Sequence, residues 1–117
     1  MAFETTVVFR DMAASPALRD DILKHAQKLE HFSSEIISCH VTVECAEHRH
    51  HQGNRYLVRA RLILPGTEFE AGHTPSADVA HEDAHRAVVD TFDALRRQLQ
   101  DFVRRRRGDK KVHIAKP

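Results

Sequence analysis

The hydrophobic period of this chain changes at about Ile36, and that change limits the folds open to it. Before it, Leu18, Ile22, Ala26, Leu29 and Phe32 recur at spacings of three and four residues, the period of a helix with one buried stripe. After it, Ile37, Cys39, Val41, Val43 and Cys45 alternate with Ser38, His40, Thr42 and Glu44, the period of a strand with one buried and one wet face. A helix and a sheet that each carry a single apolar side must cover one another, so an α+β, layered domain is expected.

The flanking segments extend the pattern. Phe3 to Arg10 (FETTVVFR) reads as a first strand. Ser15-Pro16 starts the first helix, with the serine as N-cap and the proline at the first helical position, and the stripe carries it to about His31. Asp20 and Asp21 fall near the positive end of its dipole. The polar EHRHHQGN reads as a loop, Tyr56 to Leu64 (YLVRARLIL) as a strand, Pro65-Gly66 as a turn and TEFEAG as a short fourth strand. HTPSAD is a linker and cap region. A long helix follows to about Arg107, its core face made by Ala84, Val88, Phe92, Leu95, Leu99, Phe102 and Val103. The expected order is β-α-β-β-β-α: a two-layer sandwich in which a four-stranded sheet carries both helices on one face. Its first strand pair is parallel through a right-handed crossover, and the rest is an antiparallel meander. Residues 1–107 form the domain and 108–117 a flexible basic tail.

At 117 residues there is room for one modest core, and with 6% aromatics and no Trp it should be aliphatic. The N-terminal MAFETTVVFR has no basic segment followed by an apolar one, and no apolar run approaches the length of a membrane span. A cytoplasmic location without membrane contact is therefore expected. Cys39 and Cys45 share a strand face but stand roughly 20 Å apart at about 3.3 Å per residue, too far for a disulfide or a shared metal.

The net charge of +1 hides an asymmetry. From Arg96 onward nine Lys and Arg face only Asp101 and Asp109, a net of +7, and the preceding 95 residues carry −6. The pairs Arg86/Asp90, Asp93/Arg97 and Asp101/Arg105 stand at i,i+4 spacing and make a solvated face. Four consecutive arginines followed by Lys110 and Lys111 exceed what such pairs explain, and point to a polyanionic partner.

His81-Glu82-Asp83-Ala84-His85 is a literal H-E-x-x-H, the spacing of two zinc ligands and a general base on one helix face. The reading fails for want of a third ligand. The extended motif needs Gly and His where Val88 and Thr91 stand, and Glu82 is the last glutamate in the chain. The His48-Arg49-His50-His51 loop is read as a polar turn. No catalytic residue, metal site, cofactor or small-molecule substrate is expected.

Several segments together resemble the short form of the ribosome hibernation-promoting factor and ribosome-associated inhibitor family, also called the sigma-54 modulation protein family. They are Ser15-Pro16-x-Leu18, Lys28-Leu29-Glu30-x-Phe32, the loop His48 to Tyr56, and Asp83, Ala87, Asp90 with the run Asp93 to Gly108. The resemblance implies a fold similar to a double-stranded-RNA-binding domain and a bacterial stress protein. It implies binding of the small ribosomal subunit and its 16S rRNA in the decoding channel, over the mRNA and tRNA sites. Translation is blocked sterically, idle ribosomes are preserved, and no reaction is catalysed. His85 departs from the aromatic residue of many relatives, and the tail is basic, unlike that of the acidic-tailed branch.

The candidate rRNA-binding residues are Lys24, Lys28, Arg49, Arg59, Arg86, Arg96, Arg97, Arg104, Arg105, Arg107, Lys110 and Lys111, with Arg55 and Arg61 as further strand cations. Only Tyr56 is available to stack bases on the open sheet, so shape and phosphate recognition are expected over base readout. The alternative is a protein-interaction or transcription-modulating module whose arginines serve solubility.

Overall fold

The computed structural model describes the backbone at residues 3–49, 53–73 and 84–115, and side chains at residues 3–45, 56–73 and 84–107. The elements are β1 (Glu4–Arg10), α1 (Pro16–Lys28), a 3-10 turn (Leu29–His31), β2 (Ser38–Arg49), β3 (Gly53–Leu64), β4 (Thr67–His73) and α2 (Ala84–Ala115). The sheet order is β1-β2-β3-β4, with β1 and β2 parallel and the other neighbours antiparallel. This is the expected α+β topology.

Local chemistry explains the boundaries. Ser15 is extended, and its Oγ accepts from the Leu18 N–H at 3.2 Å, with Pro16 opening α1. Asp20 and Asp21 lie beyond the first turn, where the dipole has faded, so Asp21 serves instead as a partner for histidines. Pro65 and Gly66 join β3 to β4. Gly66 at φ 76° meets the demand of a type II turn at the residue after proline.

The inward sheet rows run Val7–Val41–Ala60–Ala71, Thr5–Cys39–Leu62–Phe69 and Phe9–Val43–Val58–His73. They meet Leu18, Ile22, Ala26 and Leu29 of the first helical segment and Ala87, Val88, Phe92, Leu95 and Leu99 of α2 in one core. Both helices therefore cover the same sheet face. Complete burial of a Leu such as Leu95 contributes about 1.5–3 kcal/mol. Thr91 is also fully buried, its hydroxyl donating to the Ala87 carbonyl at 2.9 Å. Cys39 and Cys45 are buried thiols on this face.

Four expectations are corrected. Ile37 is 55% exposed because the chain enters β2 only at Ser38, and Ile36 fills the core position instead. The EHRHHQGN segment is largely strand: β2 runs to Arg49 and β3 starts at Gly53, pairing onward past a register shift between Cys45 and Glu47. Tyr56 pairs with Cys45 on the inward side, so the open face lacks it. Finally, α2 continues to Ala115 rather than ending near Arg107. Gly108 costs a helix only about 1 kcal/mol relative to Ala, and no proline follows before Pro117.

Candidate nucleic-acid interface

The register places Glu4, Thr6, Val8 and Arg10, then Ser38, His40, Thr42 and Glu44, on the uncovered sheet face. From the other two strands come Leu57, Arg59, Arg61 and Ile63, then Glu68, Glu70 and Gly72. Among the described side chains, three arginines here meet four glutamates. Arg61 Nε lies 3.8 Å from Glu68 Oε2, and Arg59 sits opposite Gly72 in the ladder. A face of balanced charge has no strong attraction for a polyanion.

The outer side of the helix layer differs. The two helices run in the same direction: Asp21 meets His85, His25 stacks on Phe92 at 5.7 Å between centroids, and His31 and Phe32 line one cleft with Gln100 and Val103. At about 100° per residue, Lys24 and Lys28 fall on the outer flank of α1 that faces α2. By the same spacing Arg96 and Arg107 fall on the outer flank of α2 that faces α1, and Arg86, Arg97 and Arg104 on its back. All seven are exposed. Arg104 and Arg107 line a cleft of 270 Å³ with His31, Phe32, Gln100 and Val103, which fixes the seam between the helices as a groove with a cationic rim.

Arg105 does not join that rim. It falls on the opposite flank of α2, with Gln98, whose Nε2 donates to the Glu70 carbonyl of β4 at 3.0 Å. The ion pairs also shift by one residue from the expected ones. Arg86 pairs with Asp90 at 3.5 Å as the spacing requires, but Asp93 takes Arg96 at 3.9 Å and Asp101 takes Arg104 at 3.8 Å. Among the described residues, Arg97, Arg105, Arg107, Lys24 and Lys28 pair with no carboxylate. The pairs that do form are exposed and weak, and a phosphate competes with them at small cost.

Arg106, which helical spacing returns to the apolar stripe, lies over the Phe102 ring at 5.4 Å and 3.4 Å from Glu35 Oε1. Its offset of four from Phe102 was the available sequence signal. The side chains of Arg49, Arg55, Lys110 and Lys111 lie outside the described residues. So do His81 and Glu82 of the H-E-x-x-H motif. His85 Nδ1 is 3.1 Å from Asp21 Oδ2, joining the two helices. Among the described residues no group of three His, Cys, Asp or Glu is placed to hold a metal ion. Burial pushes the Cys39 thiol up to about 12, so it carries no charge at neutral pH. No helix among the described residues is long and apolar enough to cross a membrane.

The profile of the family described as Sigma 54 modulation protein / S30EA ribosomal protein matches residues 5–107. The fold is similar to that of the N-terminal domain of Protein Y from Thermus thermophilus, at a TM-score of 0.66 and 19% identity over 87% of this chain and 99% of that one. It is also similar to a ribosomal subunit interface protein from Coxiella burnetii, at a TM-score of 0.64 and 20% identity over 86% and 97% of the two chains. No curated protein matches the sequence significantly.

Proposed function

The chain belongs to the sigma-54 modulation protein / S30EA ribosomal protein family, and on that premise we propose that it is a ribosome hibernation factor. It binds the small ribosomal subunit through 16S rRNA, occupies the decoding channel over the mRNA and tRNA sites, and holds idle ribosomes out of translation under stress. It acts in the cytoplasm by occupancy, with no catalysed reaction. Residues 1–107 are the binding domain, and 108–117 extend its basic end.

The observation that carries this reading is the division of charge between the two faces. The sheet face is balanced, while the helix seam presents Lys24, Lys28, Arg96, Arg104 and Arg107 along one groove, with Arg97 and Arg86 behind it. Between Arg96 and Arg107 the helix rises about 16 Å, room for several consecutive phosphates of a folded RNA. Arginine suits the task because its planar fork binds phosphate oxygens in pairs. The seam is the primary rRNA contact. Arg105 faces β4 and Arg59 the far side of the sheet, so these two contact rRNA only where it wraps around the domain.

Sedimentation of lysate from stressed cells through a sucrose gradient tests the proposal. The chain should travel with small subunits and whole ribosomes, and leave them in high salt. A small free species at low salt would favour the protein-interaction or transcription-modulating reading.

A further inference from the structure

Where the first helical segment ends against α2, a second cleft of 380 Å³ opens beside the basic seam. Its lining combines Phe32 and Phe102 with Glu30, Ser34, Arg106 and Arg107. Phe102 is held edge-on by Phe69 at 5.3 Å beneath, and the Arg106 guanidinium covers it from above, steadied by Glu35. A flat cation is thereby fixed at the mouth of an aromatic-floored cleft. Glu30 Oε1 is buried with no hydrogen-bond donor, alone in this among the described side-chain nitrogens and oxygens. An unsatisfied buried acceptor is costly, so a turn of the Glu30 side chain that brings this oxygen to a donor in the cleft is favoured.

We propose that this cleft binds one unpaired nucleotide of an RNA strand, its base between Phe32 and the Arg106–Phe102 stack and its phosphate on Arg107. The inference rests on the RNA-binding reading and adds base recognition to it. Unpaired bases are read by stacking on aromatic rings and guanidinium planes, the surfaces gathered here. The cleft lies near the lower end of the roughly 300–1,000 Å³ typical of small-ligand sites, which suits one nucleotide. Glu30 accepts from an exocyclic amino group, which adenine has and uracil lacks; uracil offers only its N3–H, flanked by two carbonyls whose lone pairs the carboxylate repels. Sequence reading expected shape and phosphate recognition over base readout, with Tyr56 alone considered for stacking; the fold gathers aromatic rings and a guanidinium between a turn and the far end of α2.

Binding of the full chain to fluorescein-labelled AAAA, UUUU and a four-unit abasic strand of equal charge tests this, with AMP titrated by NMR as the free-nucleotide arm. AAAA should bind about tenfold tighter than the abasic strand, in the range that stacking on aromatic side chains supplies. It should also bind several-fold tighter than UUUU and far tighter than AMP, and AMP should shift the amides of residues 30–35. Arg106→Gln, an exposed change, should reduce the advantage over the abasic strand to below threefold, and Glu30→Gln should erase the preference over UUUU. Equal affinity for AAAA and the abasic strand overturns the proposal. AMP binding as tightly as AAAA overturns the assignment to an RNA strand. Loss of base preference with small-subunit binding intact removes this pocket alone. Base preference without subunit binding keeps the pocket and removes the ribosomal reading.

Discussion

Reversing two charges on the helix seam, Arg104→Glu with Arg107→Glu, separates RNA binding from folding. Both side chains are exposed, and the one ion pair lost, Arg104 to Asp101 at 3.8 Å, is a surface pair. The stability change should stay within about 1 kcal/mol, a melting shift of at most a few degrees. Binding should respond quite differently. If Lys24, Lys28, Arg96, Arg104 and Arg107 each neutralise one phosphate, the slope of log K against log salt is about −4.5, and affinity falls roughly 500-fold between 50 and 200 mM. With two contacts gone the slope becomes about −2.7 and the fall only roughly 40-fold. At fixed low salt, two lost charge-assisted hydrogen bonds at about 1.5 kcal/mol each predict more than a hundredfold weaker binding, before phosphate repulsion is added. The assay is anisotropy of labelled protein against purified small subunits at three salt concentrations, with a calorimetric melt of each variant. An unchanged slope, with affinity within twofold of the parent protein, would return these arginines to a solvated face.

Arg59→Glu on the open sheet face should leave small-subunit affinity within about threefold, because its surroundings are already charge-balanced; a loss as large as that of the seam variant would move the interface to the sheet. Ser15→Ala should cost about 1 kcal/mol of stability through the lost cap on the Leu18 N–H, read by urea unfolding. Leu99→Ala, fully buried between helix and sheet, should cost about 2–5 kcal/mol in the same assay. The Cys39 thiol keeps its proton up to about pH 12 in the folded protein but only to about 9 when unfolded. Its share of stability is therefore intact below pH 9 and lost as pH climbs toward 12. In a Cys45→Ala background at pH 8, a thiol reagent should label Cys39 only at the rate of unfolding, and labelling at the rate of a free thiol would contradict its burial.

Periodicity made the layers legible. The stripe Leu18 to Leu29 and the alternation Cys39 to Cys45 each describe one buried side, and the structure joins those sides. What escaped lay where local pattern and tertiary geometry part company. Ile37 continues the alternation on paper, but the strand has not begun there. The polar residues after Cys45 carry no burial signal, although the backbone ladder holds them as strand through Arg49. Composition located the basic end but not its direction. Only the packing of α2 against α1 and β4 separates Arg107, on the groove, from Arg105, on the far flank. The competition among i,i+3 and i,i+4 partners that gave Asp93 to Arg96 is likewise decided by side-chain direction, since both spacings are allowed.

Competition on the small subunit tests the central claim most directly. Purified subunits carrying a labelled mRNA and an anticodon stem-loop are titrated with the protein at low salt, and bound label is counted on filters. Occupancy of the decoding channel predicts that mRNA and stem-loop are both displaced at one protein per subunit, and that the Arg104→Glu, Arg107→Glu variant displaces neither at the same concentration. Simultaneous binding of protein, mRNA and stem-loop to one subunit would contradict the account.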